Sequence, residues 1–190
     1  MMAVRRVFPL EADGAAFDRI ALLGDHGGLR VTDRTAWPRF GIKGPGGADW
    51  MRGAGIDLPA PNHLIEWAQL VVLRLGQNDV VVLSGDGAPD AVAALRARWE
   101  GTVGQKGYSS WREESWAWLH LEGPELDQTL ARCCAVDLRL AVHDADKIAQ
   151  TTFAHVDAVV LRRGAGADLF FDIAATGAVL ATMRQGGARV

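Results

Sequence analysis

At 190 residues, with 49% apolar and 23% charged side chains and a formal charge of −3, the chain has the composition of one globular domain or two small halves sharing a core. The slightly acidic balance gives no electrostatic footing for a nucleic-acid partner, which needs clustered Lys and Arg. No apolar run approaches the roughly 20 residues of a membrane-spanning helix, and residues 1–10 hold two arginines but no signal-peptide core, so cytoplasmic residence is expected.

Residues 1–30 read as a lead-in that contains Asp25-His26-Gly27-Gly28. A strand is predicted over 37–43, followed by Gly44-Pro45 and a helix; proline suits a first helical turn because its missing N–H would be unpaired there. Trp50, Met51 and Ala54 share one face of that helix. Residues 70–75 and 80–83 form a predicted hairpin across Gly76-Gln77-Asn78-Asp79. Asp90 is expected to cap a helix running to Trp99, with Val92, Leu95 and Trp99 inward. A glycine-rich connector, 101–112, follows. The pattern then restarts with a strand over 116–122 and a helix over 124–134 that points Leu126, Leu130 and Cys133 inward. A hairpin of 156–162 and 168–172 turns across Gly164-Ala165-Gly166, and a last helix, 174–183, packs through Val179, Leu180 and Met183.

The two series match feature by feature. Phe40-Gly41-Ile42-Lys43-Gly44-Pro45 corresponds to Leu119-His120-Leu121-Glu122-Gly123-Pro124, an offset of 79 residues. Val72-Leu73-Arg74-Leu75-Gly76, then Asp79, corresponds to Val160-Leu161-Arg162-Arg163-Gly164, then Asp168, with the aspartates 89 apart. An internal duplication is therefore predicted, with about ten extra residues in the second copy between Asp137 and Lys147. Each copy reads as strand, helix, strand, strand, helix, a split β-α-β unit made twice in an α+β fold. The predicted organisation is a lead-in (1–30), a first lobe (31–100), the connector (101–112) and a second lobe (113–190).

Motifs with chemistry are few. The run Gly101-Thr102-Val103-Gly104-Gln105-Lys106-Gly107 lacks the Ser or Thr that follows the lysine of a phosphate loop. Gly44-Pro45-Gly46-Gly47 loses its later glycines in Gly123-Pro124-Glu125-Leu126, so a tight turn explains both copies better than an anion site. Cys133 and Cys134 are neighbours and are expected to stay reduced. The five histidines show no metal-ligand spacing, the serines lack a histidine and acid in a recognisable context, and Glu113-Glu114 suits a solvated turn. No catalytic, cofactor-binding or metal-binding residue is assigned.

The tryptophans carry more information. Alternation places Ala117, Leu119 and Leu121 on one strand face and Trp116, Trp118 and His120 on the other, matched in the first copy by Trp37, Arg39 and Lys43. Two readings stay open. This aromatic face packs against the other copy's sheet, or Trp37, Arg39, Trp116, Trp118 and His120 form a subunit interface. Three rings of about 150–250 Å² each, at about 25 cal/mol/Å², supply on the order of 10 kcal/mol before entropic losses.

Cys134-Ala135-Val136-Asp137-Leu138-Arg139, then Ile148-Ala149-Gln150-Thr151-Thr152-Phe153-Ala154, then Val159-Val160-Leu161-Arg162-Arg163 resembles the gamma subunit of heterotetrameric sarcosine oxidase, which shows an Asp-Leu-basic element, an Ala-Gln-Thr-like strand and a final hairpin and helix in this order. Leu29-Arg30-Val31-Thr32-Asp33 looks like that family's early strand, and residues 40–50 like its strand-Gly-Pro-helix unit; the resemblance spans about residues 28–185. The wider superfamily includes the folate-binding T-protein of glycine cleavage. The resemblance implies two intertwined ferredoxin-like lobes without the T-protein's C-terminal barrel. Its folate-using relatives place an acidic pair just before the first hairpin strand, where this chain has Ala68 and Gln69, with Glu66 the nearest acid. The relatives' reactive-cysteine motif has no counterpart around Asp146-Lys147-Ile148-Ala149-Gln150.

Both losses point to an accessory subunit carrying no cofactor of its own. FAD, FMN, NAD and tetrahydrofolate are then implied on larger flavoprotein and folate-binding partners of alpha, beta and delta type. The implied assembly oxidatively N-demethylates sarcosine or a related secondary amine. Two rivals stand beside this: a stand-alone tetrahydrofolate-binding, aminomethyltransferase-like protein using Glu66 or Asp79, and a homodimer joined through the Trp116/Trp118 face.

Overall fold

The computed structural model describes residues 20–21, 28–85, 89–110 and 112–185. Two short strands, β1 (Ile20–Ala21) and β2 (Arg30–Asp33), precede the first copy. That copy comprises β3 (Arg39–Lys43), α1 (Gly47–Gly53), β4 (His63–Trp67), β5 (Leu70–Gly76), β6 (Asp79–Ser84) and α2 (Pro89–Glu100). After β7 (Tyr108–Ser110) and a single turn, α3 (Arg112–Ser115), the second copy runs through β8 (Trp116–Glu122), α4 (Leu126–Cys133), β9 (Ile148–Phe153), β10 (Val156–Arg163), β11 (Gly166–Asp172), a 3-10 turn (Ile173–Ala175) and α5 (Thr176–Gln185).

The strands form two antiparallel sheets, ordered β4-β5-β6-β3-β7 and β1-β2-β8-β11-β10-β9. Within them β4-β5-β6-β3 and β9-β10-β11-β8 have the same order, so the α+β class and the duplicated plan are both present, and neither sheet closes into a barrel among the described residues. Each copy holds one strand more than the periodicity shows. β4 escapes notice because it is an edge strand with only Leu64 buried, so it has almost no alternation to read. Its counterpart β9 falls where the family resemblance puts a strand. Helix ends also shift: Pro45 and Pro124 lie ahead of α1 and α4, and Asp90 sits in the first turn of α2, not at its cap.

Period-two alternation divides the core into three. In β5 and β6, Leu70, Val72, Val80 and Val82 face α1 and α2 together with Phe40, Met51, Leu95 and Trp99. Their neighbours Val71, Leu73, Val81 and Leu83 face the other sheet, where they meet Trp118, Val159, Leu161 and Phe170. In the second copy Ala117, Leu119, Leu121, Val160 and Phe171 turn to α4 and α5. Helices thus cover the outer face of each sheet and the inner faces pack together, which is why these strands read as unbroken apolar runs. At one side the sheets are stitched by backbone bonds, with Leu64 N donating to Asp146 O at 2.8 Å and Ile148 N to Asn62 O at 2.7 Å.

The copies also exchange arms. β2, which leads into the first copy, pairs with β8 of the second (Arg30↔Glu122), and β7, which leads into the second, pairs with β3 of the first (Lys43↔Tyr108). Each arm starts at a glycine pressed on the other copy's Gly-Pro turn. A Cβ on Gly44 (φ +119°) would lie 2.6 Å from Gly107 Cα, and one on Gly123 (φ +129°) would lie 2.6 Å from Gly28 O. Gly46 N donates to Lys106 O at 2.8 Å and Glu125 N to Gly28 O at 2.9 Å. The glycine clusters are therefore turn and arm contacts, and in the first the N–H groups of Gly44, Gly46 and Gly47 are all occupied. β7 lies inside the stretch read as a loop, because three strand residues of mixed polarity carry no detectable period. Trp111 and most of Asp25-His26-Gly27-Gly28 lie outside the described residues.

Strand register corrects the placement of the inserted residues. β3 and β8 align at the expected offset of 79, but β4 and β9 at 84, β5 and β10 at 88, and β6 and β11 at 87. About half of the insertion precedes β9; the rest lengthens the β9–β10 hairpin by two pairs, Thr152↔Asp157 and Phe153↔Val156. Asp168 consequently corresponds to Val81, and Gly166 to Asp79, two positions away from the sequence match.

Candidate functional site

The five residues singled out from sequence converge on the seam between the copies, but they are not one exposed patch. Trp118 and Arg39, equivalent positions in the two copies, are each only 2% exposed. Trp118 lies in the inter-sheet core, edge-on to Trp37 at 5.5 Å and tilted against Phe170 at 5.1 Å. Its backbone N–H donates to Thr35 Oγ1 at 3.0 Å. Arg39 donates to the carbonyls of Thr35, Trp37 and Trp116 at 2.8, 3.1 and 2.6 Å, tying the arms and opening strands of both copies together. Packing of the aromatic face against the other copy is therefore what the fold uses, and Trp118 and Arg39 are corrected to internal residues. Trp37, Trp116 and His120 are half-buried at the rim.

Around them the duplication builds a pair of clamps. Arg34 lies over Trp37 at 4.5 Å, and its counterpart Arg112 lies over Trp116 at 4.2 Å. Arg34 Nη1 reaches Asp168 Oδ1 at 3.3 Å, and Arg112 Nη2 reaches Asp79 Oδ2 at 2.8 Å. In each case an arm arginine stacks on a tryptophan and pairs with an aspartate of the other copy's hairpin. Asp168 Oδ1 also accepts from Trp118 Nε1 at 2.8 Å and from His120 Nδ1 at 3.0 Å. Burial pushes the Asp168 carboxyl up, but the bond and charge of His120, then Trp118 and Arg34, outweigh it and hold it below the usual carboxylate range. Gly166 makes the room, since a Cβ there would stand 2.6 Å from His120 Cε1. Sequence reading paired the two aspartates but missed Arg34 and Arg112, which lie 78 residues apart, one short of the offset of the early repeat.

The acids considered for transfer chemistry are all engaged. Glu66 pairs with Arg163 of the other copy beside a shallow groove of about 210 Å³. Ala68, at φ +52°, and Gln69 form the β4–β5 turn. Asp79 is held by Arg112 and by Lys43 Nζ at 3.2 Å. Glu113 is buried on Arg96 at 2.5 Å while Glu114 is exposed, so the adjacent pair is not an acid/base couple. Burial pushes the thiol of Cys133 up, which disfavours a thiolate nucleophile. Among the described residues no group of three or more His, Cys, Asp or Glu converges as a metal site, and no helix is long and apolar enough to cross a membrane.

No protein-family model matches the chain, and no curated protein matches it by sequence. Solved structures match by fold. A chain of the heterotetrameric sarcosine oxidase from Corynebacterium sp. U-96, solved in complex with pyrrole 2-carboxylate, superposes with a TM-score of 0.75 over 97% of this chain and 98% of that one, at 18% identity. The glycine cleavage system aminomethyltransferase T from Bartonella henselae superposes with a TM-score of 0.60 over 83% of this chain, also at 18% identity. This chain spans only 45% of the aminomethyltransferase. At such identities the likeness establishes the fold, a two-lobed α+β body of the kind expected from the sequence.

Proposed function

We propose that this chain is the accessory, gamma-type subunit of a sarcosine oxidase-like heterotetramer. In this reading the assembly removes the N-methyl group of sarcosine or a related secondary amine by oxidation, with tetrahydrofolate receiving the one-carbon unit. FAD, FMN, NAD and folate sit on the larger partners, and this chain contributes surface in place of chemistry. The observation that carries the reading is the end-to-end fold match, nearly the full length of both chains, to a chain of a heterotetrameric sarcosine oxidase. The engagement of Glu66 with Arg163 and of Asp79 with Arg112 supports it, because both carboxylates are turned to arginines and not to a ligand-sized cleft of their own. Purification of the tagged chain from its native cells tests this. Co-elution of large subunits with flavin absorbance is expected; recovery of the chain alone overturns the reading.

The likeness to aminomethyltransferase T favours one second reading, a stand-alone tetrahydrofolate-binding protein. It requires saturable heat on titration of the isolated chain with tetrahydrofolate, and a flat titration at millimolar ligand removes it.

A further inference from the structure

The two copies serve as internal controls for each other, and one of the places where their lengths differ is the β9–β10 hairpin. Its two additional pairs carry the inner face of the second sheet past the end of the first. Where β5 and β6 cover the inner face, its side chains are apolar: Ile148, Val159, Leu161 and Phe170. Beyond that cover, the same face of β9 and β10 presents Gln150, Thr152 and Asp157, all exposed. The overhang borders an open cleft of about 670 Å³, with half-buried Trp116 as its exposed apolar wall and the covered Val159 and Phe170 beneath. The volume lies in the range of small-molecule sites, and an indole wall stands there beside a few polar groups.

The lining charges indicate what such a site takes. Arg112 is committed: it stacks on Trp116 and pairs with Asp79, which also holds Lys43. The Gln150 amide nitrogen donates to Asn62 Oδ1 and to Leu75 O, at 2.6 Å each, leaving its carbonyl oxygen as an acceptor. Asp157 is the other charged residue of the lining, and the residues paired around it bring no cation. A carboxylate beside an indole ring, with further acceptors on Gln150 and Thr152, matches an ammonium group on an apolar body.

We propose that this overhang cleft is a binding site for a small organic ammonium ion, its apolar body against Trp116 and its N–H groups on Asp157. The site is independent of the assembly reading, because it uses only residues of this chain. Benzylammonium, benzyl alcohol and benzoate, similar in size and different in charge, are the probes. They are titrated by calorimetry and NMR into the protein in whichever assembly the tagged chain is recovered. Benzylammonium binding is expected to exceed that of the alcohol and of benzoate, and to weaken about tenfold or more in Asp157→Asn. Thr152→Trp, at an exposed position, is expected to fill the cleft and abolish binding with the melting temperature retained. Equal or tighter binding of benzyl alcohol or benzoate, indifference to Asp157→Asn, or no binding at tens of millimolar would each overturn the site, whether or not flavoprotein subunits are present.

Discussion

The two copies share their frame and diverge where they touch. The Gly-Pro turn with its arm glycine, the arginine stacked on a tryptophan and the helix-covered outer sheet face all occur twice. At the seam, by contrast, equivalent positions hold Arg39 and Trp118, and the guanidinium stands 5.9 Å from the indole. Side chains related by an approximate twofold and facing each other cannot be treated independently. Two arginines there would leave two buried cations in contact, and two tryptophans would overfill the space. One of each is a packed, attractive solution. Duplication in a single chain permits that asymmetry, whereas a dimer of identical copies would have to place the same residue at both sites.

The largest test of this comparison is truncation at the seam. Trp118→Ala is expected to cost about 3–5 kcal/mol in chemical denaturation, well above the half-buried Trp116→Ala; equal costs would mean that the inter-sheet core is not the dominant contact. Arg39→Leu follows at about 2–4 kcal/mol, because it strips the donor from three backbone carbonyls that water cannot easily reach.

Next come the turns. Gly44→Ala and Gly123→Ala each force a side chain at positive φ against opposing backbone and should cost about 1–3 kcal/mol. Gly164→Ala, at φ +52° with nothing within 4 Å of the added Cβ, should cost only about 1 kcal/mol. Similar losses at all three would show that the arms do not press on the turns as described.

A smaller effect separates the clamps by pH. The Asp168 carboxyl is held below its unfolded value of about 3.9, so its contribution is present above that pH and is lost as pH falls through the folded value. Wild type should therefore lose stability more steeply below about pH 4 than Asp168→Asn; parallel acid limbs would contradict the clamp. The smallest effect belongs to Asp137 and Arg139, a fully exposed pair. Arg139 lowers Asp137 to about 2, yet Asp137→Asn should leave the melting temperature unchanged in physiological salt.

The sequence itself announced the α+β class, the duplication, both principal hairpins and the identity of the inward faces, because these depend on local periodicity and turn chemistry. Trp116, Trp118 and His120 were placed on the correct strand face for that reason. Alternation says which side a residue takes; it cannot say what covers that side. The tertiary structure decided that Trp118 and Arg39 are sealed within one chain, that each arm crosses to the other copy, and that Arg34 and Arg112 find aspartates far along the sequence. It also placed about half of the extra residues in the β9–β10 hairpin, beside the cleft at Asp157. Register, arm exchange and seam packing join segments some 80–130 residues apart, and only the folded chain brings those segments within reach of one another.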